Sequence, residues 1–169
     1  VGNPQAPAFG LEWSPNDALT PLVLRSGRRP SGSGEVAIDA RSFEASGYAL
    51  GDRITIITPQ GPTEFTLVGV AGFGKVDNIA GATLAIFDLP TAQKVMNRVG
   101  TFDSINVQAK PGVGIDTLQD RVQSALPTKI EAVTAQDLTD ESNEALKTNL
   151  AFFTTFMLVF AYVALFVGA

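Results

Sequence analysis

The final twenty residues, Leu150 to Ala169 (LAFFTTFMLVFAYVALFVGA), contain no charged side chain, and all 29 charges lie in the first 149 positions. As a helix, twenty residues reach about 30 Å, the thickness of a bilayer's hydrocarbon core. The chain therefore reads as a water-facing domain running into a membrane helix. Its aromatic residues Phe152, Phe153, Phe156, Phe160, Tyr162 and Phe166 suit lipid or helix packing better than a ligand box. Thr154 and Thr155 can bond neighbouring helices or their own backbone.

The tail does not stand alone. Thr134 is a candidate N-cap, Asp137 follows three residues later, and Val133 with Leu138 can form a hydrophobic staple. No Gly or Pro interrupts residues 135–167. Such a helix would run about 50 Å, well beyond the membrane's need. Residues 134–149 are thus expected to form a stalk, and 150–169 the start of a transmembrane helix. The acidic residues Asp137, Asp140, Glu141 and Glu144 share one face of that stalk; a solvated face beside a positive helix end accounts for them.

Ahead of the stalk the pattern is mixed. Residues 1–34 hold five of the ten prolines and a Gly/Ser cluster, and read as a loop-rich segment with a short strand at Leu22–Leu24. Residues 35–133 read as an α+β core of two lobes. The first is barrel-like: a strand at Glu35–Asp39, a helix at Arg41–Ser46 closed by Gly47, then strands Arg53–Thr58 and Glu64–Val70 around Pro59-Gln60-Gly61-Pro62. Gly47 and Gly51 serve as backbone devices for positive φ. The second lobe is expected as βαβαβ. Its parts are Thr83–Phe87, an Asp88-capped helix ending at Gly100, alternating Ser104–Ala109, a helix from Asp116 ended by Pro127, and Lys129–Val133.

Composition removes many chemistries. With neither His nor Cys, the chain cannot build a zinc or blue-copper site, a Cys nucleophile or a Ser-His-Asp triad. The net charge of −5 and scattered basic residues exclude nucleic acid as a partner. The densest basic spot, Arg25, Arg28 and Arg29, sits in a Gly/Pro loop and reads as exposed, although lipid headgroups or an acidic partner would also suit it. The run Gly69-Val-Ala-Gly-Phe-Gly74-Lys75 meets a phosphate-loop spacing, but Val76 stands where Ser or Thr must hold Mg²⁺. A Gly-rich loop leaving a strand is the simpler account. No catalytic, cofactor or metal site is expected.

Several stretches together resemble the extracytoplasmic core domain of MacB/FtsX-type permease subunits of ABC transporters. They are Gly27-Arg28-Arg29-Pro30 with Glu35-Val36-Ala37-Ile38, then Gly47-Tyr48-Ala49-Leu50-Gly51-Asp52-Arg53-Ile54-Thr55-Ile56, then Phe65-Thr66-Leu67-Val68-Gly69-Val70. The stalk and the Phe152-Phe153-Thr154-Thr155-Phe156 start of the tail complete the order. The resemblance implies a segment of a larger membrane protein, lying in the cell membrane with residues 1–149 on the extracytoplasmic side. It also implies a second permease copy or half as dimer partner and a separate cytoplasmic ATPase subunit that drives movement of the outer domain. Two other readings compete: a membrane-anchored ligand-binding or sensory module, and a nucleotide-using enzyme built on Gly69–Lys75.

Overall fold

The computed structural model describes residues 7–78, 81–141, 143–144, 147 and 157. The tail, Met157 apart, lies outside the described residues, and with it the expected transmembrane helix. Among the described residues no helix is long and apolar enough to cross a membrane. The chain divides into two compact units, Val1–Gln108 and Ala109–Ala169.

The first unit is built on one mixed sheet. Its strands are β1 (Ala8–Glu12), β2 (Leu22–Gly27), β3 (Glu35–Asp39), β4 (Arg53–Thr58), β5 (Gly61–Phe73) and β6 (Thr83–Phe87). Helix α1 (Ala40–Ser46) follows β3, and α2 (Leu89–Val95) follows β6. The strand order is β1-β6-β3-β5-β2, with β4 also on β5. β5 organises this arrangement because its 13 residues outrun every neighbour. Thr66 pairs with both Arg53 and Glu35, and Gly69 with both Gly27 and Ala37. β3 therefore occupies one edge of β5, while β4 and β2 follow each other along the opposite edge.

This corrects the expectation of a barrel-like lobe beside a βαβαβ lobe. β3 runs parallel to β5 and antiparallel to β6, so the strands assigned to two lobes share one open sheet. Two further expected strands are absent from it. Residues 104–110 and 130–134 belong to no strand. Conversely, β1 forms within the segment read as loop: Phe9, Leu11 and Trp13 alternate, and Trp13 N–H donates to the Phe87 carbonyl at 2.8 Å.

Both faces of the sheet are packed. On one, Trp13, Leu22, Ala37, Ala71, Leu84 and Ile86 form a core with Leu11 and Phe73. On the other, Val36, Ile38, Ile54, Phe65, Leu67 and Phe87 pack beneath Phe43 of α1 and Ala92 and Val95 of α2. β3 and β6 alternate cleanly between the two. β5 does not: Phe65 and Leu67 face the helices, whereas Ala71 and Phe73, also odd-numbered, face away. The register shift against Val36/Ala37 explains this, since one extra residue in a strand reverses every side chain beyond it. The bulge lets a single strand feed both cores. Phe65 and Phe87 meet with ring centroids 5.1 Å apart at 57°, a tilted pair that adds about 0.5–1.5 kcal/mol beyond burial.

Helix ends follow the sequence closely. Asp39 caps α1, accepting from Ser42 N–H at 2.9 Å, and Gly47 closes it with φ 70°. Asp39 is 1% exposed and does more than cap. Its other oxygen, Oδ2, accepts from Leu84 N–H at 2.8 Å, and Asn78 Nδ2 donates at 3.3 Å to Oδ1, the oxygen that also caps α1. One carboxylate thus ties α1 to β6. Asp88 caps α2 through Thr91 N–H at 3.2 Å, with Pro90 in the first turn. α2 stops at Val95, a turn before the expected end at Gly100, because Asn97 adopts φ 54°.

In the second unit, α3 (Ile115–Ala125) has Gly114 at its N-cap with no side-chain cap, and Asp116, the expected start of the helix, lies inside the first turn. The residues expected as a strand at Lys129–Val133 run along this helix instead. Gln119 Nε2 donates to Ala132 O at 2.8 Å, Gln123 Nε2 to Ile130 O at 3.1 Å, and Ala132 N–H to Gln123 Oε1 at 2.8 Å. Two glutamine side chains occupy positions that a neighbouring strand would fill. Thr134 forms the expected cap, Asp137 N–H donating to its Oγ1 at 3.1 Å, and Asp137 returns the bond by accepting from Thr134 N–H at 3.2 Å. Residues 135–141 are helical beyond it.

Candidate functional site

The phosphate-loop spacing falls within β5 and the turn after it. Gly69 to Phe73 are strand residues, Val70 and Ala71 are buried, and among the described residues the chain after Lys75 leads into β6 before any helix. Gly69 and Gly72 serve close packing. A Cβ at Gly69 would stand 2.1 Å from the Arg28 carbonyl oxygen, and one at Gly72 would meet the Arg25 guanidinium at 2.4 Å. Among the described residues no helix N-terminus stands at this loop, so the geometry lends the nucleotide-site reading no support.

The basic spot is neutralised residue by residue. Arg25 binds Asp77 at 2.7 Å and the Gly74 carbonyl at 2.9 Å. Arg29 pairs with Asp17, and its Cζ lies 5.4 Å from the Trp13 ring centroid. Arg28 forms a fork with Glu35, Nη1 donating to Oε2 at 2.7 Å and Nη2 to Oε1. Ser31 N–H adds a third donor at 3.0 Å. The Arg28 guanidinium and then the Ser31 amide hold the Glu35 carboxyl down to about 2. Arg28 and Arg29 thus brace the loop between β2 and β3, and Arg25 ties β2 to the turn after β5, instead of the three presenting a positive surface.

The acidic stalk face is equally ordinary. Asp137 belongs to the cap, and Asp140 accepts from Gln136 at 3.2 Å. Among the described residues no group of three His, Cys, Asp or Glu side chains converges to hold a metal ion.

The feature that sequence reasoning missed is a groove of about 510 Å³ in the first unit, beside β1. Leu11, Phe73, Leu89, Met96 and Phe102 supply apolar wall, and Ser104 and Asn106 stand among the polar lining. An ion pair between Arg98 and Asp103 at 2.8 Å sits at its border. Glu12 also lines it and has no hydrogen-bonding or ionic side-chain partner among the described residues. Burial raises the Glu12 carboxyl above its ordinary value. Alternation of Phe9, Leu11 and Trp13 was the available signal for β1, masked by the prolines around it. A second cleft, about 600 Å³ between α3 and residues 128–132, is lined chiefly by polar and charged groups.

Comparison with known proteins adds a family. A family model described as a MacB-like periplasmic core domain matches residues 5–125. An uncharacterized ABC transporter permease protein of Mycobacterium tuberculosis is 28% identical over 141 residues. That alignment covers 83% of this chain but only 15% of the relative, so the chain spans a small part of that protein's length. No solved structure matches.

Proposed function

Because this chain belongs to the MacB-like periplasmic core domain family, we propose that it is the extracytoplasmic part of an ABC transporter permease and that its work is mechanical. The family match over residues 5–125 carries this reading, and the capped helix start at Thr134 supports the transmission route. ATP is hydrolysed on a separate cytoplasmic subunit. The resulting movement passes along the helix from Thr134 through the uncharged tail and repositions the sheet-bearing unit, which drives substrate export or regulates a partner. The domain itself performs no bond chemistry.

The reading is tested in the full-length permease reconstituted with its ATPase. A Gly-Pro insertion after Asn143 breaks the helix while leaving the sheet intact. ATP hydrolysis should persist, whereas ATP-dependent displacement of a fluorophore placed at the Pro59-Gln60 turn, measured against a lipid-borne acceptor, should disappear. Undiminished displacement refutes the transmission role. The groove beside β1 lends some weight to a ligand-binding or sensory module, which a parent gene with one membrane span and a cytoplasmic signalling domain would favour.

A further inference from the structure

The two ends of the sheet are finished differently. At the β2 end the ladder is interrupted between Leu24 and Ser26, and the bulged Arg25 is tied to Asp77. A bulge and a charge are standard defences of an exposed strand edge. β1, at the other end, has no bulge, and its one charge is Glu12 at its final position. Its sequence AFGLE has no Pro, Lys or Arg, its pairing with β6 is regular over all five residues, and Phe9 is 51% exposed. Among the described strands nothing pairs with its outer edge.

The direction of the free backbone groups follows from the ladder. Thr83 N–H donates to the Pro7 carbonyl at 2.9 Å and Trp13 N–H to the Phe87 carbonyl at 2.8 Å, so odd-numbered residues bond toward β6. Successive residues of a strand point opposite ways, and the N–H and C=O of Gly10 and Glu12 face outward. The groove of about 510 Å³ lies beside that edge, Gly10 and Glu12 are both in its lining, and Glu12 brings an unpartnered carboxylate.

The geometry points to β1 as an acceptor strand for an extended polypeptide segment of a partner, one that alternates small apolar and polar residues and carries a basic residue opposite Glu12. Main-chain ladder bonds to Gly10 and Glu12 supply the attachment, and the carboxylate selects charge. This goes beyond the transmission reading and does not depend on it.

The test uses the 169-residue chain in detergent micelles and a fluorescein-labelled hexapeptide of alternating threonine and valine with one lysine. Binding is followed by anisotropy, and amide exchange is read at Gly10 and Glu12. The lysine peptide should bind about tenfold more tightly than its glutamate counterpart, since attraction is exchanged for repulsion. It should also slow exchange at both amides. N-methylation of alternate peptide amides should abolish binding. In Glu12→Gln the peptide should still bind, with the lysine preference reduced below about threefold.

Equal binding of the N-methylated peptide, absence of slowed exchange at Gly10 and Glu12, or an intact preference in Glu12→Gln each overturns the proposal. Protection of those amides that rises with protein concentration alone would give the edge to a second copy. Saturable rhodamine 6G binding without amide protection would give the groove to a small apolar cation. Either result also overturns the peptide assignment.

Discussion

Asp39 should be the most sensitive polar position in the first unit. Replacing it by Ala removes the acceptor for two N–H groups, Ser42 and Leu84, and both residues are buried. Leaving a buried donor unsatisfied costs about 1–3 kcal/mol each, and losing an N-cap side chain about 1 kcal/mol of the same account. The expected loss is about 3–5 kcal/mol, a large share of the 5–15 kcal/mol typical of a domain. Asp39→Asn separates the two roles. Asn caps helices as well as Asp does, so if capping were the whole story the substitution would be nearly neutral. In this site the amide NH₂ must confront either Ser42 N–H or Leu84 N–H, and the cost should be at least about 2 kcal/mol. Urea unfolding followed by fluorescence of Trp13 reads this unit selectively, because Trp13 is the only tryptophan and is 4% exposed. With an m-value of about 1–1.5 kcal/mol/M the Ala midpoint should fall by roughly 2–5 M. An Asn variant within about 0.5 kcal/mol of the parent would refute the bridging role between α1 and β6.

Two glycines three residues apart should behave differently. Gly69→Ala drives a Cβ into the Arg28 carbonyl, where backbone must move, and should cost about 2–3 kcal/mol; Gly72→Ala displaces only the Arg25 guanidinium and should cost below about 1 kcal/mol, as measured by the same urea titration. The Glu35 carboxyl, held down to about 2 from an ordinary 4.5, favours folding fully above pH 4.5, and that contribution is lost as pH falls through the folded value. Glu35→Gln should therefore be less stable than the parent at neutral pH and converge with it near pH 2; parallel pH–stability curves would contradict the Arg28 fork.

What could be read from the sequence was local. The strand Glu35–Asp39, the helix closed by Gly47, the strand Arg53–Thr58 and the caps at Asp88 and Thr134 each carry their signal within a few residues, and each forms. Pairing is not local. Ser104–Ala109 and Lys129–Val133 have strand-like patterns, yet alternation says only that a chain prefers to be extended, not that a neighbour will meet it. In the second case Gln119 and Gln123 supply the hydrogen bonds from a helix. The single sheet was hidden for the same reason, since β3 joins its two halves through partners 30 to 50 residues away. The groove and Glu12 were invisible because β1 lies among prolines that signal loop.

The parallel pairing of β1 with β6 has a consequence for a domain that must carry load. These are the first and last strands of the unit's sheet, and they run in the same direction side by side. Tension drawing the chain before β1 away from the chain after β6 acts along the strands at opposite ends of one ladder. The bonds between them then resist together in shear, and none can open alone as in a zipper. A pull between the two ends of this unit would therefore meet a clamp before it reached either hydrophobic core.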